Sequence, residues 1–357
     1  MSGFLYSIIS FMSPFLKVIE NGFNSKTSKT QKKNEKRGTV MLALLVLSIS
    51  LIIAYEHIWG VEGADYQRYR YRIANAAAKS LDYIIVNGLK KPFSSEVLWL
   101  LYEKMGASLF SSYDAFHLFE IIVILFFVFA GLKQNCENWW FAIWMWVTWG
   151  SFRYINNVTS ELTAVAFLFY FGTKYLKEKS FFKYAAVCII ASMLHTSCIF
   201  FIVFYFFYAI DWGAPEKIIL PFFSVSFLLC FKYIIPMLSG AFSKYSLYSD
   251  YGTNYTYKVL LIPLTLTAVI IYLSHYYKSN SIVLRNVNIF KVLLFYDLMW
   301  ATSLINSISV RFTYLSELYV LIILSDLISE LKGKQRAFAY ILSAFFCLFC
   351  LWYFRLK

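Results

Sequence analysis

Residues 184–208 read YAAVCIIASMLHTSCIFFIVFYFFY. The stretch is long enough for a membrane span of about 20 residues, yet His195, Thr196 and Ser197 interrupt its apolar run. Its reading sets the topology of everything downstream. The basic block from Lys26 to Arg37 puts the N-terminus in the cytoplasm, because cytoplasmic flanks of spans collect Lys and Arg. Lys174, Lys177, Lys179 and Lys183 then also fall inside. A straight span over 184–208 would send Lys278, Arg285, Lys332, Lys334 and Arg336 outside, against the same rule. A segment that enters and returns as two short halves meeting near His195 keeps those loops cytoplasmic, and this reading is preferred. Non-helical backbone at that depth needs protein or a wet cavity around it.

The rest of the chain has the composition of an all-α polytopic membrane protein. Hydrophobic residues make up 60% and charged ones 15%, against roughly a quarter charged in soluble domains. About ten apolar segments have span character: Val40–Trp59, His117–Lys133, Trp139–Ser151, Thr159–Tyr175, Tyr184–Tyr208, Ile218–Leu238, Val259–Tyr277, Ile289–Ile308, Arg311–Ile328 and Ala337–Phe354. The opening FLYSIISFMSPFLKVIE is followed by the basic block rather than a cleavage site, so it reads as an interfacial helix, with a short extra span as the alternative. Residues 1–38 thus form a basic cytoplasmic or interfacial segment, and 39–357 a single membrane domain. Outer loops are expected at about 60–115 and 239–257. In the first, SSEVLWLLYEKMG has the spacing of an amphipathic interfacial helix.

The net charge of +13 sits mainly in short inter-span loops and the N-terminal segment. It reads as topology signal and contact with anionic membrane lipids, not as a nucleic-acid footprint. The six cysteines lie in or beside apolar spans; Cys347 and Cys350 form a CxxC without further ligands, so no metal or redox role is assigned. No internal repeat is visible, which argues against a transporter built from inverted repeats.

Two arginines stand out against this background. Arg311 lies in SLINSISVRFTYLSELYVLIIL (residues 303–324) and Arg153 in SFRYINNVTSELTAVAF. An arginine near a span costs several kcal/mol unless it is paired, snorkelled or facing water, so two of them suggest a site for an anion. Tyr314 follows Arg311 at i+3 and is placed to hydrogen-bond phosphate or sugar. Glu161 is a candidate partner of Arg153, as a structural ion pair or as part of a glycan site. His195 is embedded in apolar sequence as either packing or a general base; His57, His117 and His275 read as interfacial. Asp65 opens the outer loop as solvated charge, sugar ligand or base, with Tyr66, Tyr69 and Tyr71 behind it. Glu96 reads as a capping-box residue with Ser94 or Ser95, or as a base. Arg68, Arg70 and Arg72, alternating with tyrosines, read as solvated charge, with a cradle for anionic sugars or headgroups as the alternative. Tyr245, Tyr248, Tyr251, Tyr255 and Tyr257 are either interfacial anchors or stacking surfaces for sugars.

Five segments in order carry a family resemblance: GADYQRYRY (63–71), SSEVLWLL (94–101), SFRYINNVTSELTA (151–164), LHTS (194–197) and VRFTYL (310–315). Together they resemble the EpsG/Wzy-type polysaccharide polymerases, from Val40 to about Ile328. The N-terminal forty residues have no counterpart, and Tyr-Ile-Asn-Asn follows Arg153 where glutamine is common in relatives. The resemblance implies a glycosyltransferase on the outer face of the bacterial cytoplasmic membrane. Its donor would be a glycan on undecaprenyl pyrophosphate, its acceptor a single repeat unit on the same carrier, and a separate protein would set chain length. Arg153, Arg311 and Tyr314 would hold the pyrophosphate. Asp65, Glu96 or His195 would supply the base, and Tyr66, Tyr69, Glu161 and Tyr248 would meet the glycan. No cofactor is implied. A metal-independent reaction is expected because no two carboxylates share a short spacing on the outer side, and an inverting outcome by analogy alone. The rival readings are a flippase for lipid-linked glycan, which would show two related halves, and a membrane acyltransferase, which would carry an early histidine and arginine motif.

Overall fold

A computed structural model describes residues 66–90, 96–148, 151–209, 222–230, 260–276, 289–305, 307–331 and 333–355, with isolated positions at 44, 47, 48, 51, 52, 219 and 233. The expected span at 40–59 lies largely outside the described residues, and that at 218–238 about half outside them. The N-terminal segment, Asp65 and the tyrosine-rich stretch with Tyr248 also lie outside them. Every described element is helical.

The segment expected as an outer loop is wound into three helices: α1 (Tyr66–Ala78), α2 (Leu81–Lys90) and α3 (Val97–Leu109). Tyr66, Tyr69 and Ala76 are the buried positions of α1, so the stretch from Tyr66 onward is a helix with one buried face rather than an irregular loop. α3 is not a free interfacial helix. Val97, Trp99, Glu103 and Gly106 are buried, and Gly106 lets the Phe116 ring lie against the backbone. The exposed apolar face belongs instead to α2, through Leu81, Tyr83, Val86 and Leu89.

α4 (Tyr113–Asn135) starts before the expected His117, because Ser112 caps it by accepting the Ala115 N–H at 3.3 Å. At 23 residues it is about 34 Å long, enough to cross a hydrocarbon core. α5 (Trp139–Thr148) follows and then breaks into a 3-10 turn, Ser151–Tyr154, before α6 (Thr159–Lys177).

α7 (Phe181–Leu194) ends at the expected interruption. His195 is extended, with φ −150° and ψ 122°, and a 3-10 turn (Thr196–Phe201) leads into α8 (Ile202–Tyr208). The Tyr205 hydroxyl donates to the Lys179 carbonyl at 2.5 Å, and its ring lies 5.2 Å from Phe181. Tyr184, on the rising half, donates to the Phe201 carbonyl at 3.0 Å. The second half therefore returns to the start of the first, and 184–208 is a hairpin with His195 near its apex. α7 is only about 21 Å long, short of a hydrocarbon core.

α9 (Leu261–Tyr276) and α10 (Ile289–Thr302) precede a third 3-10 turn, Ser307–Phe312. α11 (Thr313–Glu330) and α12 (Gly333–Arg355) complete the described chain. Arg311 thus sits in the 3-10 turn that leads into α11, at the N-terminal end of the candidate span rather than in its middle. α11 is buried along nearly its whole length, packed against α5, α6, α9, α10 and α12. Among the described residues, Tyr113–Asn135 and Val310–Glu330 are the two stretches long and apolar enough to cross a membrane.

Candidate active site

The three positions singled out in apolar sequence, Arg153, His195 and Arg311, all lie in or beside a 3-10 turn that interrupts helix. Such interruptions leave backbone groups outside the helical ladder, which at membrane depth need protein or water around them. The turns after His195 and around Arg311 meet through Phe200 and Phe312, whose rings are 4.7 Å apart.

His195 stands between two carboxylates from different elements. Its Nδ1 is 3.0 Å from Glu96 Oε1, and its Nε2 is 3.8 Å from Glu161 Oε2. Ser160 Oγ lies 3.3 Å from Nδ1 and 3.3 Å from the Tyr69 hydroxyl, linking the imidazole to α1. Glu96 has the N-cap position of α3 but makes no side-chain cap bond. Its Oε1 instead accepts the Thr196 N–H at 3.1 Å and the Thr196 hydroxyl at 3.4 Å. The capping account is thereby replaced by a tertiary one. Glu96 also holds φ 50° and ψ 54°, a left-handed conformation that costs a non-glycine residue on the order of 1–3 kcal/mol. The strain is held by the contacts that deliver the carboxylate to His195.

Glu161 belongs to the first turn of α6, where the helix dipole favours a carboxylate. Its Oε1 accepts the Ser197 hydroxyl at 2.9 Å, and its Oε2 lies 3.3 Å from Arg311 Nη1. That contact is an ion pair but is not aligned as a hydrogen bond. The Glu161 side chain is 1% exposed, whereas that of Arg311 is 25% exposed. The guanidinium therefore reaches from a buried carboxylate toward an accessible side.

The partner expected for Glu161 was Arg153, two turns back on one helix face. The 3-10 turn and the turn at Ile155–Asn157 interrupt that helix, and Arg311 is a described partner of Glu161. The Arg153 turn is nevertheless anchored to the Arg311 helix. The Ser151 N–H donates to Glu317 Oε1 on α11 at 2.6 Å, and Tyr154 stacks on Tyr314 with ring centroids 6.1 Å apart. Tyr314 is thus a buried support between the two arginine-bearing turns. Tyr66 and Tyr69 are also buried, in a cluster with Trp99, Tyr113 and Phe116, and the Tyr66 hydroxyl donates to Asp114.

Of the expected site residues, Glu96, Glu161, His195 and Arg311 come together directly, Tyr69 joins through Ser160, and Tyr314 flanks them. Ser160, Thr196, Ser197 and Glu317 were not singled out from the sequence. The first three adjoin Glu161 or His195 and had that adjacency as their signal. Glu317 was an ionisable residue in an apolar run, which is itself a signal.

His117, read as interfacial, is buried: its Nδ1 is 3.2 Å from Glu120 Oε2 and its Nε2 2.9 Å from Asn156 Oδ1. Arg72, read as solvated, pairs with buried Glu103 at 3.0 Å, and Trp99 Nε1 donates to the same carboxylate at 2.8 Å. Burial pushes the Glu103 carboxyl up to about 7, with Arg72 and Trp99 opposing the rise. Among the described residues no group of three or more His, Cys, Asp or Glu is arranged to hold a metal ion.

This arrangement joins every motif of the resemblance except Asp65, and the sequence as a whole agrees: the EpsG family model matches residues 39–357. The chain belongs to the EpsG family. No curated protein and no solved structure matches it. Membership in EpsG, with the apolar helices, indicates a bacterial membrane protein with a role in polysaccharide polymerisation.

Proposed function

We propose that this EpsG protein is a membrane glycosyltransferase that polymerises undecaprenyl-pyrophosphate-linked repeat units into a surface polysaccharide. The reaction takes place on the outer face of the cytoplasmic membrane. The observation that carries this reading is the linked set Glu96–His195–Glu161–Arg311, which places an orientated imidazole beside a partly exposed guanidinium.

A lipid pyrophosphate is already a good leaving group, so the protein must hold it, align the acceptor and remove one proton. Arg311 and Arg153 bind the pyrophosphate, since guanidinium stays charged and grips phosphate oxygens in pairs. Glu96 accepts from Nδ1–H and fixes the ring orientation, which leaves Nε2 to take the acceptor's hydroxyl proton. As that oxygen bonds to the anomeric carbon, the bond from the same carbon to the pyrophosphate breaks. Undecaprenyl pyrophosphate leaves with the charge that the arginines stabilise. Asp65 is the alternative base. Tyr69 and Tyr66 shape the acceptor side through their hydroxyl partners, and Tyr248 belongs to the glycan-contacting surface. A metal-independent, inverting course suits this residue set.

The topology that fits has about ten spans, a cytoplasmic N-terminus, α1–α3 outside and the hairpin of 184–208 entering from the cytoplasmic side. Membrane lipids surround the span region, and a separate partner protein sets chain length.

The test is a surface-glycan gel from a strain lacking the protein, complemented with wild type or Arg311→Ala at matched membrane levels. A ladder that collapses to one repeat unit, restored by wild type alone, is the expected result. Loss of the repeat unit itself would place the protein at an earlier step, such as flipping. An unchanged ladder would remove the polymerase reading.

A further inference from the structure

The carboxylate of Glu161 is divided between two duties. Ser197 fixes one oxygen, Oε1, at 2.9 Å. The other, Oε2, lies 3.3 Å from Arg311 Nη1 and 3.8 Å from His195 Nε2, and makes no hydrogen bond to either. In this state the guanidinium that would bind the donor's pyrophosphate neutralises the same charge that would support a protonated His195. Buried charges at these separations interact strongly, and removing one partner exposes the other's charge to its neighbours.

We propose that Glu161 is a positioning residue that couples donor binding to the proton transfer. A pyrophosphate competes with Glu161 for Arg311. Once Arg311 turns to the ligand, the Glu161 charge acts on Nε2 and stabilises the imidazolium formed when the acceptor's hydroxyl proton arrives there. The base thus becomes effective only when a donor is in place, which protects an unoccupied site from unproductive proton abstraction. The buried surroundings make this coupling strong, because both Glu161 oxygens are withdrawn from solvent.

This inference rests on the polymerase reading and separates from it experimentally. Binding of undecaprenyl pyrophosphate, as the probe, is measured on the full chain in nanodiscs, alongside turnover at saturating lipid-linked repeat unit. Glu161→Gln removes the competing charge at constant shape. It is expected to bind the probe about tenfold more tightly while turnover falls about 100-fold, a split that a merely structural role would not give. In an Arg311→Ala background the same substitution is expected to leave probe affinity unchanged. Should Glu161→Gln fail to fold, Glu161→Asp keeps the charge but withdraws it from Arg311, and it too is expected to tighten probe binding. Wild-type or weaker affinity in the folded Glu161 variant overturns the coupling. If Arg311→Ala itself binds the probe as wild type does, the pyrophosphate assignment fails and the coupling with it.

Discussion

His195 and His117 are both buried imidazoles beside carboxylates, and they are built differently. His117 lies within an unbroken helix, its carboxylate Glu120 three residues on, and its other nitrogen is 2.9 Å from Asn156 Oδ1. Tyr113 stacks on the ring at 5.5 Å and Tyr66 meets it edge-on at 5.7 Å. Both nitrogens and both approaches are taken up by protein. His195 sits on extended backbone at the apex of a hairpin, and its carboxylates come from α6 and from the N-terminus of α3. Its Nε2 stands 3.8 Å from Glu161, too far for a hydrogen bond, next to a partly exposed guanidinium. Burial of a histidine is therefore uninformative by itself. On the proposed mechanism, what separates a fastening from a reacting group is whether one ring nitrogen keeps its hydrogen-bonding capacity.

The largest expected effect sharpens the His195 side. Arg311→Ala should lower polymer formation by about 100- to 1,000-fold at normal membrane insertion, because on the proposed mechanism it removes charge stabilisation of the leaving group. Arg311→Lys should recover only part, since the paired grip on phosphate is lost. Quantified glycan ladders at matched protein levels read both. The converse perturbation is His117→Ala, which leaves Glu120 buried without its partner. It should cost about 1–3 kcal/mol of stability, seen in thermal unfolding of the reconstituted protein, while turnover per folded molecule stays within a few-fold.

Gly106→Ala attacks the packing that places α3, and hence Glu96, over His195. A Cβ there would lie 2.3 Å from the Phe116 ring, so the expected loss is again about 1–3 kcal/mol, with proteolysis within α1–α3 as the local readout. The smallest effect concerns pH. Glu103 is raised from an ordinary 4.5 to about 7 by burial, so the folded state holds its proton more tightly than the unfolded one. Its contribution to stability is full below about 4.5, declines as pH rises toward 7, and levels off above that. Glu103→Gln should flatten that decline in thermal unfolding recorded across the same window.

Much of this comparison was legible in the residues. His195 declared itself by interrupting an apolar run, and the bookkeeping of lysines and arginines required the run to turn back, as the Tyr205–Lys179 contact does. Arg311 was legible by the cost of its charge. The contact of Glu161 with Arg311 was not: the two residues lie far apart in sequence, and no local pattern links the first turn of α6 to the 3-10 turn at Ser307–Phe312. Glu96 was obscured by a local alternative, because a serine pair before an acidic residue at a helix start resembles a cap. His117 was misplaced because the start of α4 was set too late, at its own position rather than at the Ser112 cap. Local signals located the charged residues, but their partners depended on breaks between helices.

The most direct test of the central claim compares His195→Gln with His117→Gln in nanodiscs, measuring chain elongation of a lipid-linked repeat unit per folded molecule. His195→Gln is expected to fold normally with elongation lowered at least about 100-fold, whereas His117→Gln is expected to elongate within a few-fold of wild type at reduced thermal stability. Wild-type elongation by folded His195→Gln would contradict that claim, because the proton would then leave by a group other than His195.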